Sequence, residues 1–218
     1  MTGSLQKPFS EACDRNRDPI LEILRSAFAD ASSVLEIGSG TGQHAVHFGA
    51  ALPHLTWQTA DLPDNHAGIR MWLADSALSN VLPPLNLNVN EDRWPFGNID
   101  AVFTANTLHI MSWLEVGHLF TGISRILHPG GPLCIYGPFN YNGAHTSDSN
   151  ARFDAMLRGR DPASGIRDFE AVQELGSQNG LIFAADHPMP ANNRMLVFTK
   201  AEERAGKNRA EARGPRSE

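Results

Sequence analysis

The feature that most constrains the fold is the run VLEIGSGTGQHA at residues 34–45. A short apolar segment containing the acid Glu36 leads into three alternating glycines, Gly38, Gly40 and Gly42. Glycine has no Cβ and accepts positive φ, so such a turn lets a ligand approach the backbone closely. A helix that follows the turn directs its free N–H groups toward that ligand. The run therefore predicts a strand–turn–helix unit that binds a cofactor, and the alternative is an ordinary unit without one.

The spacing of the glycines distinguishes between two classes of cofactor. A dinucleotide site has its third glycine three residues after the second, and here that position is Gln43. The Glu36 carboxylate would repel a pyrophosphate and attract an ammonium group. S-adenosylmethionine has an ammonium, a sulfonium and no phosphate, so the local charge favours it. The cofactor-binding residues predicted in this run are Glu36, Gly38, Ser39, Gly40, Gly42 and His44.

Composition limits the class of protein. The 218 residues, 41% hydrophobic and 19% charged, suit one globular domain, which we predict at residues 1–200 with an N-terminal helical segment. The charged residues 201–218 are predicted to form a disordered tail. A formal charge of −6 lacks the basic field that nucleic acid or an anionic membrane attracts.

Further sequence patterns indicate the cellular compartment of the protein and whether it binds a metal. Cys13 and Cys134 lie far apart without the spacing of a metal site, and no third ligand accompanies His44 and His47. Neither a signal peptide nor a membrane-spanning stretch is recognised. We therefore expect a cytoplasmic protein without a metal, a membrane or a nucleic-acid partner; the pattern leaves its oligomeric state open.

Strands and helices alternate along the chain. Asp18 is predicted to cap the first helix with Pro19 at its first position, Asn65 to cap another, and Ser112 with Glu115 to form a capping box. This alternation predicts a Rossmann-like α/β fold, with helices on both faces of a seven-stranded, mostly parallel sheet whose last strand is antiparallel. The predicted strands are Ser33–Ile37, Leu55–Ala60, Leu85–Val89, Ile99–Ala105, Leu133–Tyr136, Leu181–Ala185 and Met195–Thr199.

Polar residues follow the predicted strands, where an open α/β sheet binds its ligands. Asp61, with its neighbour Leu62, follows the second strand, and its carboxylate can accept both ribose hydroxyls of an adenosine. The alternative for Asp61 is a turn or capping aspartate. Asn88 and Val89 end the third strand, where the Asn88 amide either contacts the adenine edge or only terminates the strand.

The turn after the fourth strand carries Asn106 and His109, which we predict to lie near the transferable methyl group. Asn106 is predicted to hold the amino-acid end of the cofactor or the substrate. His109 is either a general base or a residue that fixes the loop by hydrogen bonding. Tyr136 and Asp154 are the next candidates for a base.

A polar loop after the fifth strand suits a lid or a substrate contact. The alternative is an ordinary surface loop with helix caps at Ser147 or Ser149. The substrate-binding residues predicted in this loop and near the last strand are Asn140, Ser149, Asn150, Arg167 and Asn193.

Seven segments carry a resemblance to a known family. They are FSEACDRNRDPIL (9–21), VLEIGSGTGQHA (34–45), NTLHIMSW (106–113), YGPFN (136–140), SDSNARFDAMLR (147–158), GIRDFE (165–170) and MPANN (189–193). With these, the chain resembles class I S-adenosylmethionine-dependent methyltransferases, and within them the domain of unknown function 938 family, related to methyltransferase-like protein 26 of animals. The likeness runs from about Lys7 to Lys200. Asn88 and Met111-Ser112 depart from it, since the family usually has aspartate and Ser-Pro there.

The resemblance implies the fold and the cofactor but not the acceptor. It also implies two site residues just before the predicted first helix: Arg15, paired with the carboxylate of the cofactor, and Asn16, in contact with the substrate.

We therefore expect methyl transfer from S-adenosylmethionine to a small-molecule acceptor by in-line displacement, with the protein supplying alignment and exclusion of water. One alternative is a catalytically inactive subunit that binds S-adenosylmethionine and regulates or partners another protein. A nicotinamide-dependent oxidoreductase fits less well because of Gln43 and Glu36.

Overall fold

The computed structural model describes residues 6–202, so residues 203–218 of the predicted tail lie outside the described part. The helices are α1 (Glu11–Ala27), α2 (Gln43–Ala51), α3 (Pro63–Ser76), α4 (Trp113–Ile126), α5 (Asp148–Arg160) and α6 (Phe169–Gln178). The strands are β1 (Ser33–Ile37), β2 (Thr56–Asp61), β3 (Val81–Asn86), β4 (Ala101–Ala105), β5 (Pro132–Gly137), β6 (Phe139–Asn140), β7 (Arg167–Asp168), β8 (Leu181–Met189) and β9 (Asn193–Lys200).

The main sheet has seven strands in the order β3-β2-β1-β4-β5-β9-β8. The first five are parallel, and β9 is antiparallel to both of its neighbours, β5 and β8. The predicted fold class is confirmed. The chain leaves β1 toward β2 and β3 and then returns to β4 on the other side of β1. This reversal opens a crevice at the carboxyl ends of β1 and β4, the usual ligand site of such sheets.

Apolar side chains fill the space on both faces of the sheet. On one face α1 and α2 pack Ile20, Leu24 and Phe48 against the strands. On the other, α4 packs a stripe of apolar residues that includes Leu119 and Phe120. Because both faces are covered, β1 and β4 are almost entirely buried, as their unbroken apolar sequences predict.

Helix α1 begins eight residues before the predicted start. Its N-cap is Ser10, whose hydroxyl accepts a hydrogen bond from the Cys13 amide, and Asp18 and Pro19 lie inside the helix. The sequence Asp-Pro is a common helix start, and the first two turns bury little apolar surface that would reveal their period. The predicted start was wrong, and residues 15–18 are helical rather than part of a preceding segment.

Other boundaries also differ from the prediction, among them the starts of α3, β3 and β4 and the end of β8. Helix α3 begins at Pro63, and Asn65 lies in its first turn, where its amide donates to Asp61 instead of capping the helix. Strand β3 begins four residues early and includes Pro83 and Pro84. It is an edge strand, where a missing N–H breaks no ladder hydrogen bond.

The predicted capping box of α4 is confirmed. Within residues 6–202, no helix has the length and apolar character needed to cross a membrane.

Candidate cofactor and active site

A cavity of about 610 Å³ lies at the crevice between the carboxyl ends of β1 and β4. Its walls come from the glycine turn, the ends of β2 and β4, the residues after β3, and the start of α1. The predicted site residues that line it are Gly38, Ser39, Gly40, His44, Asp61, Leu62, Asn88, Val89, Asn106 and His109. Their proximity is the geometric basis for one ligand site; their individual roles remain predictions.

Gly40 and Gly42 have different structural roles. Gly40 has φ +57°, and a Cβ built there would have no atom within 4 Å, so its backbone faces open space on the cavity. Gly42 has φ +90°, and a Cβ there would lie 3.0 Å from the Ile69 Cα. Gly42 therefore permits the close packing of α2 on α3. It does not line the cavity, so its position does not match the cofactor contact predicted for it.

Asp61 ends β2 with its carboxylate already hydrogen-bonded. One oxygen, Oδ2, accepts from the Gly40 amide at 2.7 Å. The other, Oδ1, accepts from the Leu62 amide at 2.7 Å and from the Asn65 side chain at 2.8 Å. A carboxylate offers about four acceptor positions, so about one is left for a ligand. Asp61 thus fixes the turn, as the alternative interpretation expected, and still faces the cavity.

Glu36 lies behind the glycine turn and not on the cavity surface. Its side chain is only 2% exposed, and it accepts a hydrogen bond from Trp57 Nε1 at 3.1 Å. Burial raises the pKa of Glu36 to about 7, with the nearby Asp61 charge acting in the same direction. The carboxyl is therefore partly protonated near neutral pH, which weakens the direct attraction to an ammonium group that the sequence predicts.

His44 is the cavity residue contributed by α2. Its Nε2 lies 2.7 Å from Asn16 Oδ1, and burial lowers the pKa of His44 to about 4. The neutral ring therefore donates to the Asn16 amide oxygen. Asn16 lies in the middle of α1 and is buried against His44 rather than lining the cavity, so the predicted substrate contact is replaced by an α1–α2 contact.

His109 lies on the loop after β4 with its ring at the cavity. Among the described residues the ring has no hydrogen-bond partner; it packs edge-on against Phe153, with centroids 5.3 Å apart. Burial, and secondarily the Arg167 charge, lowers the pKa of His109 to about 4. The ring is therefore neutral at physiological pH with a free acceptor nitrogen. The alternative in which it fixes the loop by hydrogen bonding finds no support in this arrangement.

The start of the same loop is strained. Asn106 has φ +58°, an uncommon conformation for a residue with a side chain. Its backbone N–H donates to the Tyr136 carbonyl at 2.8 Å. Strained residues of this kind concentrate at ligand sites. Asn106 lines the cavity, whereas Tyr136 is buried beneath it, where burial raises the pKa of its hydroxyl. Tyr136 is therefore poorly placed for its predicted role as a base.

Arg167 lies beneath the loop and not in the cavity. Its guanidinium donates to the carbonyls of Leu108 at 3.1 Å, Ala163 at 2.9 Å and Met111. These bonds hold the 108–111 loop, so Arg167 supports the loop in place of its predicted contact with the substrate. Sequence reasoning missed this role because an arginine that binds backbone carbonyls leaves no spacing pattern.

The other predicted residues also lie away from the cavity. Asp154 accepts from Arg158 Nε at 2.9 Å and from the Ile166 amide at 2.6 Å, so its carboxylate is occupied by structural bonds. The Arg15 side chain is 70% exposed and is paired with Glu11.

The four polar residues predicted to contact the substrate from the later loops have local partners too. Asn140 contacts His145, Asn150 donates to Thr146, and Ser149 contacts Ser147. Asn193 lines a second cavity of about 550 Å³ at the β8–β9 turn.

Several cavity residues were missed by the sequence analysis. Glu115 was recognised only as a helix cap, and Phe153 only as a helix residue. The remaining ones are Ser10, Ala12, Cys13, Ile37, Thr41, Asn65, Leu87, Ala105, Thr107, Ile110 and Met111. In the part of the chain that the structure describes, the lining includes the carboxylates Asp61 and Glu115 and no lysine or arginine. Within residues 6–202, no three histidine, cysteine or acidic side chains cluster as metal ligands would.

Solved structures with the same fold share little sequence with this chain. An O-methyltransferase family protein from Burkholderia thailandensis matches with a TM-score of 0.78 at 19% identity, over 88% of this chain and 58% of that one. An O-methyltransferase family 2 protein from Planctomyces limnophilus in complex with apigenin gives 0.76 at 14%, over 85% and 56%. PigF with S-adenosylhomocysteine gives 0.74 at 16%, over 87% and 56%. The chain thus spans little more than half the length of these proteins.

The sequence itself matches one protein family, described as "Protein of unknown function (DUF938)", over residues 7–200. This range contains every strand and helix found in residues 6–202. The chain therefore belongs to the DUF938 family, and its fold is the Rossmann-like fold of class I methyltransferases.

Proposed function

We propose that this protein transfers a methyl group from S-adenosylmethionine to a small, uncharged or cationic acceptor. One observation carries the proposal: among residues 6–202, those that line the cavity at the strand crossover include two carboxylates and no lysine or arginine. A pyrophosphate bound there would have no cationic side chain to pair with, whereas a sulfonium and an ammonium meet favourable charge. This contrast argues against the nicotinamide-dependent alternative.

The residues at the cavity suit S-adenosylmethionine in shape as well as charge. The open face of Gly40 gives the ligand access to the backbone, and the free acceptor position of Asp61 suits a ribose hydroxyl. Asn88, Val89 and Leu62 offer a largely apolar slot with one amide for the adenine. Class I methyltransferase folds solved with S-adenosylhomocysteine, as in PigF, are consistent with this assignment.

The cofactor supplies an activated methyl group on its sulfonium. The protein's share of the work is to align the acceptor, exclude water and accept a proton where the acceptor carries one. His109 is the residue for the last task because its neutral ring faces the cavity without a partner. Asn106 orients the ligand through its amide, and Ile110, Met111 and Phe153 keep water away.

Ligand binding to the purified protein is the first test. S-adenosylhomocysteine should bind in calorimetry and raise the melting temperature, with about 2.7 kcal/mol of stabilisation at a hundredfold excess over its Kd. NADH should do neither, because Gln43 replaces the third glycine of a dinucleotide site and the described lining offers two carboxylates and no cation to its phosphates. Binding of NADH without binding of S-adenosylmethionine or S-adenosylhomocysteine would overturn the proposal.

The charge of the acceptor gives a second test. In a screen of metabolites incubated with S-adenosylmethionine, a methyl mass shift should occur among thiols, amines and hydroxyl compounds without an anionic group. Matched compounds that carry a carboxylate or phosphate should react at least about tenfold more slowly. That factor corresponds to only about 1.4 kcal/mol of unfavourable electrostatic free energy. Met111→Arg should reduce this discrimination by placing a cation in the cavity wall.

The outcomes of this screen separate the remaining alternatives. Preferred methylation of anionic compounds would contradict the assigned acceptor class. Tight binding of S-adenosylhomocysteine with no methylated product from any compound would instead favour the inactive regulatory or partner subunit.

A further inference from the structure

The start of the described chain forms one wall of the cavity, although it carries no cofactor motif. Ser10, Ala12 and Cys13 line the cavity together with Gly40 and Thr41 of the glycine turn. Any ligand seated on the glycine turn therefore lies against residues that come from α1 and its N-cap. How this wall is held in place determines how easily a ligand enters and leaves.

The side chain of Gln43 ties the N-cap of α1 to the glycine turn, and the Asn16–His44 hydrogen bond joins α1 to α2 further along. Gln43 Oε1 accepts from the Ser10 amide at 2.5 Å, and Gln43 Nε2 donates to the Ser10 carbonyl at 3.3 Å. The Thr41 hydroxyl donates to the same Oε1 at 3.0 Å and orients the amide. Gln43 occupies the position of the third glycine in a dinucleotide fingerprint, and a glycine there has no side chain to make these bonds.

The residues just before Ser10 rest on α3. The Pro8 carbonyl accepts a hydrogen bond from Trp72 Nε1 at 2.7 Å, and Pro8 packs directly over Gly68. The Lys7–Asp75 ion pair is exposed, and such pairs contribute little to stability. The Trp72 indole therefore reports on the position of this segment.

Apolar burial holds only the second half of α1. From residue 6 to residue 19 the only buried side chain is Asn16, whereas Ile20, Leu21 and Leu24 lie in the core. Pro19 separates the two halves and lacks the N–H that would bond to the carbonyl four residues earlier, so the helix is weakened there. A segment with few buried apolar contacts opens at low free-energy cost.

We propose that Gln43 is a positioning residue that holds residues 7–18 closed against the glycine turn and thereby retains the bound cofactor. Opening requires the two Ser10–Gln43 hydrogen bonds to break, together with the Asn16–His44 and Pro8–Trp72 hydrogen bonds, while α1 bends at Pro19. The identity of the retained ligand rests on the proposed function; the closed arrangement of the segment does not.

The test compares Gln43→Ala with the unmodified protein by two measurements. In the ligand-free protein, amide hydrogen exchange of residues 11–18 should be at least about tenfold faster, because two neutral hydrogen bonds are lost. In stopped-flow displacement, S-adenosylhomocysteine should dissociate faster by a similar factor. A change in Trp72 fluorescence, absent from a Trp72→Phe background, should accompany the faster exchange.

Asn80→Ala is the matched control. The Asn80 amide also ties two backbone segments together, by donating to the carbonyls of Gly49 and Leu55, but it lies outside the cavity. This variant should lower the melting temperature without changing exchange at residues 11–18 or the dissociation rate. Equal effects of the two variants on both measurements would mean that general destabilisation is responsible, and would overturn the proposal.

Gln43→Glu keeps the proposal testable if Gln43→Ala does not fold. A carboxylate still accepts from Ser10 and Thr41 but cannot donate to the Ser10 carbonyl, so a smaller acceleration is expected. Unchanged exchange, or faster exchange with an unchanged dissociation rate, refutes the role of Gln43. If the unmodified protein binds no S-adenosylhomocysteine, the proposed function fails, and the exchange measurement alone decides whether Gln43 closes the segment.

Discussion

His109→Ala is expected to lower methyl transfer by about 10²-fold, at the lower end of the range of about 10²–10⁴-fold for general acid–base catalysis. The lower end applies because burial and the Arg167 charge depress the pKa of His109 to about 4, which makes it a weak base. Affinity for S-adenosylhomocysteine should stay within about threefold, since the ring makes no hydrogen bond that organises the cavity. Steady-state kinetics with the acceptor found in the metabolite screen, beside calorimetry, measures both quantities.

The pH dependence of activity tests whether His109 acts as the base. An imidazole accepts a proton only in its neutral form, so activity should be constant at neutral pH and fall as the pH drops through about 4. An ordinary histidine would place that fall near 6.5. His54→Ala is a suitable control, since His54 contacts the Phe28 carbonyl outside the cavity. Full turnover of His109→Ala across the pH range would assign His109 a structural role.

Asp61→Ala should reduce the affinity for S-adenosylhomocysteine by one to two orders of magnitude. A hydrogen bond from a ribose hydroxyl to a carboxylate is worth about 1.5–3 kcal/mol, and the mutation removes it. The mutation also takes the acceptor away from the Gly40 and Leu62 amides, so the free energy of unfolding should fall by about 1–3 kcal/mol. Calorimetry and denaturant unfolding measure the two effects separately.

Asp100 provides the matched control for Asp61. Its carboxylate accepts from the Ser32 and Ser33 amides at 2.9 and 3.0 Å. These residues lie at the amino ends of β1 and β4, and the cavity lies at the carboxyl ends. Asp100→Ala should therefore destabilise the fold to a similar extent and leave ligand affinity unchanged. An equally unchanged affinity in folded Asp61→Ala would limit Asp61 to fixing the turn.

Much of the fold could be predicted because its signals are local. The glycine turn, the unbroken apolar strands β1 and β4, and the Ser112–Glu115 capping box each depend on residues within a few positions of one another. Alternation of such elements restricts the sheet to parallel crossover connections. The residues after each strand could also be assigned to the carboxyl ends of the sheet, and on that basis Asp61, Asn106 and His109 were predicted to lie together, as they do around the cavity.

What failed was the prediction of which polar side chains turn toward the cavity. Arg167 was predicted to contact the substrate and Asp154 to act as a base. Arg167 instead binds backbone carbonyls of distant segments, and Asp154 accepts from the Arg158 side chain and the Ile166 amide. Asn16 faces His44, and Gln43 meets Ser10 across 33 positions of sequence. Such pairings depend on how helices dock, and nothing in the local sequence records the partner.

The amino-acid sequence by itself determined the order of the helices and of the seven main-sheet strands, but not the short strands β6 and β7. It also determined at which end of the strands a ligand is expected and which class of cofactor to expect, because periodicity and glycine spacing act over a few residues. Only the tertiary structure decided that α1 forms one wall of the cavity, that Glu36 is buried with a raised pKa, and that the lining residues between positions 6 and 202 include no lysine or arginine. Burial and charge at a point in space are sums over residues far apart in the chain, so they exist only once the chain has folded.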